Sequence, residues 1–266
     1  MCGCAMRTSV GNLLARRDLL YMLTWREIRI KYKQSVMGMM WAILMPIVIV
    51  AAGIVVRAGF SMLSGHPLVA EDVASVMVRA VPWAFFVSSI RFGTMSLIAN
   101  TNLVTKIALP REVFPVAAML SQLVDFVVAS LVLIVALAVL HVGVSVQLVW
   151  LPWLIAMLVV LTTGLSIVLS AASLFFRDVK YLVEITITFA IFFTPVFYET
   201  KMFGRWASVL LLNPIAPLLE GISDVVVRHT APSLPWVGYS SVCAVAVLLS
   251  GIAIFQRLEP YFAESV

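Results

Sequence analysis

Six long apolar runs divide this chain, and they restrict its fold more than any motif does. A window of about 19 residues marks them at 36–56, 80–99, 113–140, 148–176, 181–198 and 236–256. Each is near or above the roughly 20 residues a helix needs to cross a hydrocarbon core of about 30 Å. Lipid offers the backbone no hydrogen-bond partners, so a spanning segment is a helix or part of a closed barrel. Runs this long and this apolar are unlike the alternating strands of about ten residues that build barrels. The predicted fold is therefore an all-α integral membrane domain over residues 1–266, with six transmembrane helices. Composition excludes a soluble alternative. Apolar residues are 62% and charged residues 12%, where soluble domains have about 45–50% and 25%.

Lys and Arg in short loops set orientation. With six spans, the side bearing both termini holds Arg7, Arg16, Arg17, Arg26, Arg29, Lys31, Lys33, Lys106, Arg111, Arg177, Lys180 and Arg257. The opposite side holds Arg57, Arg79, Lys201, Arg205 and Arg228. This asymmetry predicts both termini in the cytoplasm. Ahead of the first span, 12–35 reads as an amphipathic helix. Leu14, Tyr21, Trp25, Ile28 and Tyr32 share one face, and Arg26, Arg29 and Lys33 form a neighbouring stripe. Such a helix is expected at the membrane interface, its cations near anionic headgroups. Residues 199–230 are apolar but broken by Asn213-Pro214 and Pro217. Proline removes a helix donor and disfavours helix in the preceding residue, so two short helices forming a re-entrant pair on the outer side are expected.

Chemistry is conspicuous by what is missing. No Gly-Lys dipeptide occurs, so no Walker-type phosphate loop is present. HExxH and Gly-x-Ser-x-Gly are absent too. His66, His141 and His229 fall in or beside predicted outer loops without ligand spacing, and Cys2 and Cys4 have no partner pair downstream. No catalytic, metal or cofactor site is expected, and no nucleic-acid partner. Charges inside spans need partners. Arg91 and Asp125 both fall near mid-membrane and are expected to pair; Glu184 lies within a turn of the cytoplasmic end, where it can reach water. Aromatic residues gather at Trp83, Phe85 and Phe86, and at Phe189, Phe192, Phe193, Phe197 and Tyr198. They fit an interfacial belt or the lining of a conduit on which sugar rings glide.

Four stretches are familiar together. "DLLYMLTWREIRIKYKQSVMGMMWAILMP" (18–46), "NLVTKIALPREVFPVA" (102–117), "FFRDVKYLVEITITFAIFFTPVFY" (175–198) and "NPIAPLLEGISDVV" (213–226) resemble, in order, the membrane subunits of bacterial polysaccharide ABC exporters. This is the type-2 (ABC-2) permease family that exports O-antigen, teichoic acid and related glycans. The resemblance implies a homodimeric pore in the bacterial cytoplasmic (inner) membrane. Two copies of a separate ATPase, binding ATP and Mg, would drive it. It implies coupling helices within the loops at 100–112 and 176–181, with Lys106, Arg111, Glu112, Arg177, Asp178 and Lys180 facing the ATPase. It further implies that Trp25, Arg26, Arg29, Lys31 and Lys33 meet the pyrophosphate of a lipid-linked polysaccharide, and it favours the aromatic conduit. The first fifteen or so residues carry no resemblance. An ABC-2 permease for a small lipid or drug is the nearest alternative; a membrane-embedded enzyme and a secondary transporter fit less well.

Overall fold

The computed structural model describes residues 17–33, 40–64, 69–106 and 110–263. Its α-helices are α1 (Arg17–Lys33), α2 (Met40–Ser64), α3 (Ala70–Ala99), α4 (Thr101–Lys106), α5 (Val113–Val139), α6 (Leu151–Phe175), α7 (Val179–Ala190), α8 (Ala207–Leu211), α9 (Ala216–Val226) and α10 (Leu234–Leu258). Short 3-10 turns cover Val146–Trp150, Thr200–Trp206 and Glu259–Ala263. Among the described residues there is no strand. Four helical stretches there, Ala70–Ala99, Val113–Val139, Val146–Phe175 and Leu234–Phe262, are long and apolar enough to cross a membrane. The helix α2, 25 residues long, adds a shorter apolar stretch at Ile47–Gly59.

The bundle is organised around α3. It packs against α2, α5, α6, α7 and α9, and it is the most buried of the four long helices. That position explains its composition: Ser75, Arg79, Ser89, Thr94 and Ser96 are all buried along it. A lipid-facing helix cannot carry so many polar groups, whereas a central one satisfies them internally. Two α6 hydroxyls reach across, Ser166 to the Ser89 carbonyl at 3.3 Å and Ser173 to the Thr94 carbonyl at 2.6 Å. The α6–α10 contact is the most extensive, and it depends on missing side chains. A Cβ on Gly164 would lie 2.7 Å from the Leu248 backbone, and one on Gly251 2.9 Å from the Gly164 carbonyl. Small residues let membrane helices approach this closely.

Two clusters form the core. The larger joins α3, α5, α6, α9 and the 191–198 turn around Trp83, Phe85, Leu154, Leu158 and Leu218. The smaller joins Leu23 of α1 to Leu97, Phe114, Ala171, Phe255 and Phe262. The second cluster marks the end of the bundle that carries Arg111 and Arg177, termed the Arg177 end; the opposite end carries Glu199.

The spans differ from the sequence expectation in three places. The second begins ten residues earlier, at Ala70, so Arg79 lies within the helix and is buried. The first continues to Ser64, placing Arg57 inside α2, while 36–39 lie outside the described residues. The third difference is the largest. The run 181–198 is not one helix: α7 has 12 residues and ends at Ala190, and 191–198 is a chain of turns. At 1.5 Å per residue, α7 is about 18 Å long, too short to cross alone. Pro195 supplies no N–H and restrains Thr194 before it. The turn is closed locally, with the Tyr198 hydroxyl donating to the Phe192 carbonyl at 2.9 Å. Farther on, α8 and α9 flank the break at Asn213-Pro214. There the Asn213 side-chain amide donates to Thr194 Oγ1 at 3.0 Å.

Candidate functional site

Among α1, α2, α3, α5 and α7 lies a cavity of about 460 Å³, within the ordinary range for ligand pockets. Charged and polar side chains in its lining include Lys31 from α1, Arg91 from α3, and Gln122 and Asp125 from α5. Aromatic rings line it too, including Trp41, Trp83, Phe85 and Phe126. Phe85 and Phe126 pack with centroids 5.1 Å apart, and Trp83 stacks on Phe86 at 5.6 Å.

Every charge at this cavity has a partner, though not the expected one. Arg91 and Asp125 do not meet as an ion pair. Arg91 makes a two-pronged bond to Glu184 of α7, Nε to Oε2 at 2.9 Å and Nη2 to Oε1 at 2.5 Å. Asp125 accepts from Lys31 Nζ and from the Tyr32 hydroxyl, and Lys31 also donates to Gln122 Oε1 at 2.9 Å. The reason is axial position. Arg91 is eight residues from the end of a longer helix than expected, about 12 Å along the axis, which brings it level with the start of α7. Glu184 is exposed, as expected near the start of its run, and pairs with Arg91 as well. Burial and the bond to Asp125 hold the Tyr32 hydroxyl well above its usual pKa, so Tyr32 remains a donor.

This arrangement also corrects the expected faces of α1. Leu23 is its buried apolar residue, and it points with Leu19 and Leu20 into the smaller core cluster. Tyr21, Met22, Trp25 and Ile30 are exposed; Leu14 lies outside the described residues. Of the proposed pyrophosphate contacts, Arg26 bonds Asn100 and Glu27, the latter at 2.8 Å, and Lys31 turns into the cavity. Arg29, stacked 5.4 Å from the Trp25 ring centre, and Lys33 remain exposed. An Asp on α5 needs a nearby cation more than a headgroup layer does, because an unpaired charge within a span costs several kcal/mol.

The expected aromatic lining divides into two groups. Trp83, Phe85, Phe197 and Tyr198 are buried within the bundle and Phe86 is half-buried. Phe189, near the end of α7, and Phe192 and Phe193, in the turn after it, are exposed at 59%, 63% and 68%.

At the Glu199 end a charge network stands that the sequence analysis missed, having assigned Arg57, Arg79 and Arg228 to loops. Glu199 receives Arg228 and, at 3.4 Å, Arg57. Arg57 also pairs with Asp72, and Arg228 with Asp224 at 2.8 Å. Arg79, 1% exposed, donates to the Ser75 carbonyl at 3.0 Å, the Pro195 carbonyl at 3.2 Å and the Tyr198 carbonyl at 2.5 Å. Glu220 accepts from the Thr200 N–H at 3.2 Å and its hydroxyl at 2.6 Å. Four elements, α2, α3, the 191–200 turn and α9, are stitched together here. Burial opposes ionisation of Glu199, yet the Arg228 hydrogen bond and the charges of Arg228, Arg79 and Arg57 hold its carboxyl below the usual range. One signal was available: Pro195 in an apolar run needs its neighbouring carbonyls satisfied from outside, and an in-helix Arg provides such a donor.

A family model described as "ABC-2 type transporter" matches residues 18–227. The chain belongs to this family. Two O-antigen export system permease proteins RfbA of Klebsiella pneumoniae are each 25% identical over 261 residues, covering 97% of this chain and 98% of theirs. A protein of the same name from Myxococcus xanthus is 24% identical over 265 residues. An ABC-2 chain is a transporter membrane subunit, and the family match agrees with a multi-pass membrane protein.

In this ABC-2 chain the two segments expected to couple to a motor share the Arg177 end. The first contains α4, ending at Lys106; 107–109 lie outside the described residues. Arg111 donates to the Glu259 carbonyl at 2.6 Å and stacks on Phe262 at 5.6 Å, and Glu112 is buried at the start of α5. Arg111 and Glu112 thus anchor the C-terminal turn and α5 rather than projecting outward. The second segment is a tight turn, not a separate helix. Phe176, Arg177 and Asp178 are exposed, and the Asp178 carbonyl accepts from the Tyr181 and Leu182 N–H groups, both at 3.0 Å. Lys180 stacks over Tyr181 at 4.8 Å. The exposed corner Phe176, Arg177, Asp178, Tyr181 leads directly into α7 and so into Glu184 and Arg91.

Proposed function

We propose that this chain is the transmembrane subunit of an exporter that moves a lipid-linked polysaccharide of the O-antigen class across the bacterial inner membrane, with ATP hydrolysed by a separate subunit. The similarity to O-antigen permeases over 97% of the chain carries the reading. Two copies form the pore, two ATPase subunits bind ATP and Mg, and both termini face the cytoplasm. Six membrane-crossing passes are completed by α2 and by α7 with the 191–198 turn. The segment 199–230 forms the outer re-entrant pair.

Several features support this reading. The exposed Phe189, Phe192 and Phe193 give the protomer an aromatic face suited to a second copy across a sugar path, with rings that pack against sugar C–H faces without holding them. Phe197 and Tyr198 stiffen that face from behind, as Trp83, Phe85 and Phe86 do in the core. Arg29 and Lys33, exposed on α1 beside Trp25, meet headgroup and carrier phosphates. ATP-driven motion of the partner acts on Arg177, Asp178 and Lys180. A load there passes along α7 because the turn has no slack and the Arg91–Glu184 pair ties α7 to α3. Energy enters through contacts that differ between states.

The test is co-expression with the partner ATPase. Arg177→Ala with Asp178→Ala is expected to reduce co-purification of the ATPase and abolish export of cell-surface glycan, while the permease itself still accumulates in the membrane. Undiminished assembly and export in the double variant refutes the coupling assignment. ATP turnover by the purified chain alone refutes the division of labour.

A further inference from the structure

The 3-10 turn Glu259–Ala263 follows α10 directly, and its side chains divide sharply. Pro260 and Tyr261 are exposed, whereas Phe262 is fully buried. The Phe262 ring enters the smaller core cluster and meets three groups there. Phe255 of α10 packs against it edge-on, with centroids 5.1 Å apart and planes at 85°. Phe175, the last residue of α6, lies 5.7 Å away with its ring tilted by 57°. The Arg111 guanidinium stands 5.6 Å from the ring centre. Arg111 Nη1 also donates to the Glu259 carbonyl at 2.6 Å. That carbonyl belongs to the end of α10, where backbone acceptors lack intrahelical partners and a cation is favoured by the helix dipole.

Arg111 and Phe175 belong to the two segments expected to face a motor. Phe175 is half-buried against Phe262, and the next residue, Phe176, is 69% exposed at the corner that carries Arg177 and Asp178. The Phe176 N–H bonds the Ala172 carbonyl at 2.9 Å, so the exposed corner begins where the buried ring ends. Arg111 lies between α4 and α5 in the other segment. One ring therefore touches both segments from inside the bundle. Close-packed interiors pass a displacement on instead of absorbing it. A partner that grips two sites gains most when their spacing is fixed, because the second contact is then intramolecular and costs no ordering.

We propose that Phe262 is a positioning residue: it braces the two motor-facing segments at a fixed spacing, so that the partner ATPase engages both together and a push on the Arg177 corner is shared with the Arg111 segment. The inference rests on the coupling assignment made above and adds a C-terminal element to it. Arg111 serves coupling from within, its guanidinium committed to Glu259 and Phe262, and not as a contact of the ATPase.

The test uses the full chain co-expressed with its partner ATPase. Three quantities are read: affinity for the ATPase, ATP hydrolysed per glycan exported, and Tm. Phe262→Leu keeps the site apolar but removes the ring face, and Arg111→Gln removes the cation above it. Each is expected to weaken ATPase association about tenfold and to raise the ATP hydrolysed per glycan. Combined, they are expected to do little more than the larger single change, because both interrupt one connection. Arg111→Lys, which keeps a cation over the ring and a donor for the Glu259 carbonyl, is expected to retain most of the wild-type association. Leu154→Ala opens a void in the larger core cluster, where Leu154 is fully buried, and is expected to lower Tm without altering association or the ATP ratio. Wild-type association and ratio in a folded, membrane-inserted Phe262→Leu overturn the proposal, as do losses no greater than those of Leu154→Ala at matched Tm, or effects of Phe262 and Arg111 that multiply independently. Should Phe262→Leu fail to accumulate, Arg111→Gln against Arg111→Lys decides by the same readouts. Arg177→Ala with Asp178→Ala separates the two readings. If that double variant assembles normally, the coupling assignment itself fails; if it disrupts assembly while the Phe262 and Arg111 variants do not, the brace alone is removed.

Discussion

Glu199→Gln isolates the charge network at the Glu199 end. The substitution keeps shape and removes one negative charge from a site where Arg57, Arg79 and Arg228 converge. The Glu199 side chain is 19% exposed and that of Arg228 18%, so the lost partner is only partly replaced by water. Breaking a buried ion pair by removing one member costs about 3–5 kcal/mol. Arg57 retains Asp72 and Arg228 retains Asp224, which puts the expected loss at the low end, about 3 kcal/mol. For a chain of this size that corresponds to a fall in Tm of roughly 6–12 °C, taking 2–4 °C per kcal/mol. The assay is thermal unfolding in a fixed detergent and lipid mixture, with Arg228→Gln and the double variant completing a cycle. The double variant should fall short of the sum of the singles by about 1 kcal/mol or more, as coupled neighbours do. The effect should also depend on pH. Glu199 titrates below its unfolded value, so its contribution is fully present above the usual Glu range of about 4.3 and is lost as pH falls through the lower folded value. The gap between wild type and Glu199→Gln should therefore narrow toward acid pH. A Tm change below about 2 °C, or a strictly additive cycle, refutes the view that this network ties the turn at 191–200 to the bundle.

Three further outcomes follow from the packing. Gly164→Leu drives a side chain into the Leu248 backbone and should destabilise the α6–α10 contact by about 1–3 kcal/mol or more, read as a lower Tm and poor accumulation; wild-type behaviour would deny the close approach. Arg91→Glu should impair export, and combining it with Glu184→Arg should restore at least part of it; failure of the swap alongside normal folding would show that the pair's polarity matters for more than linking α3 to α7. Ser173→Ala removes the hydroxyl bond to the Thr94 carbonyl and should cost about 0.6 kcal/mol, typical of interhelical bonds in membranes; a loss above about 2 kcal/mol would mean the hydroxyl has a further role.

The sequence by itself determined the class of protein. Runs such as 113–140 and 148–176 are long and apolar enough that lipid is the one solvent they suit, and backbone hydrogen bonding in lipid requires helix. The break at Asn213-Pro214 was equally legible, because proline acts on its own residue and its neighbour. Motif order supplied the family. Tertiary structure alone decided the partners of the charges. Hydropathy locates Arg91 and Asp125 within apolar runs but carries no information about axial register between helices, and register assigned Arg91 to Glu184 and Asp125 to Lys31 and Tyr32. The same holds for Arg57, Arg79 and Arg228. Counting them as loop cations followed from local composition; their assembly around Glu199 depends on four segments far apart in the chain meeting at one point. The cavity is likewise a product of packing, since residues from α1, α2, α3, α5 and α7 line it and no contiguous stretch encodes it. Local preferences are set by neighbours along the chain, whereas a buried charge is satisfied by whatever the folded bundle brings within reach.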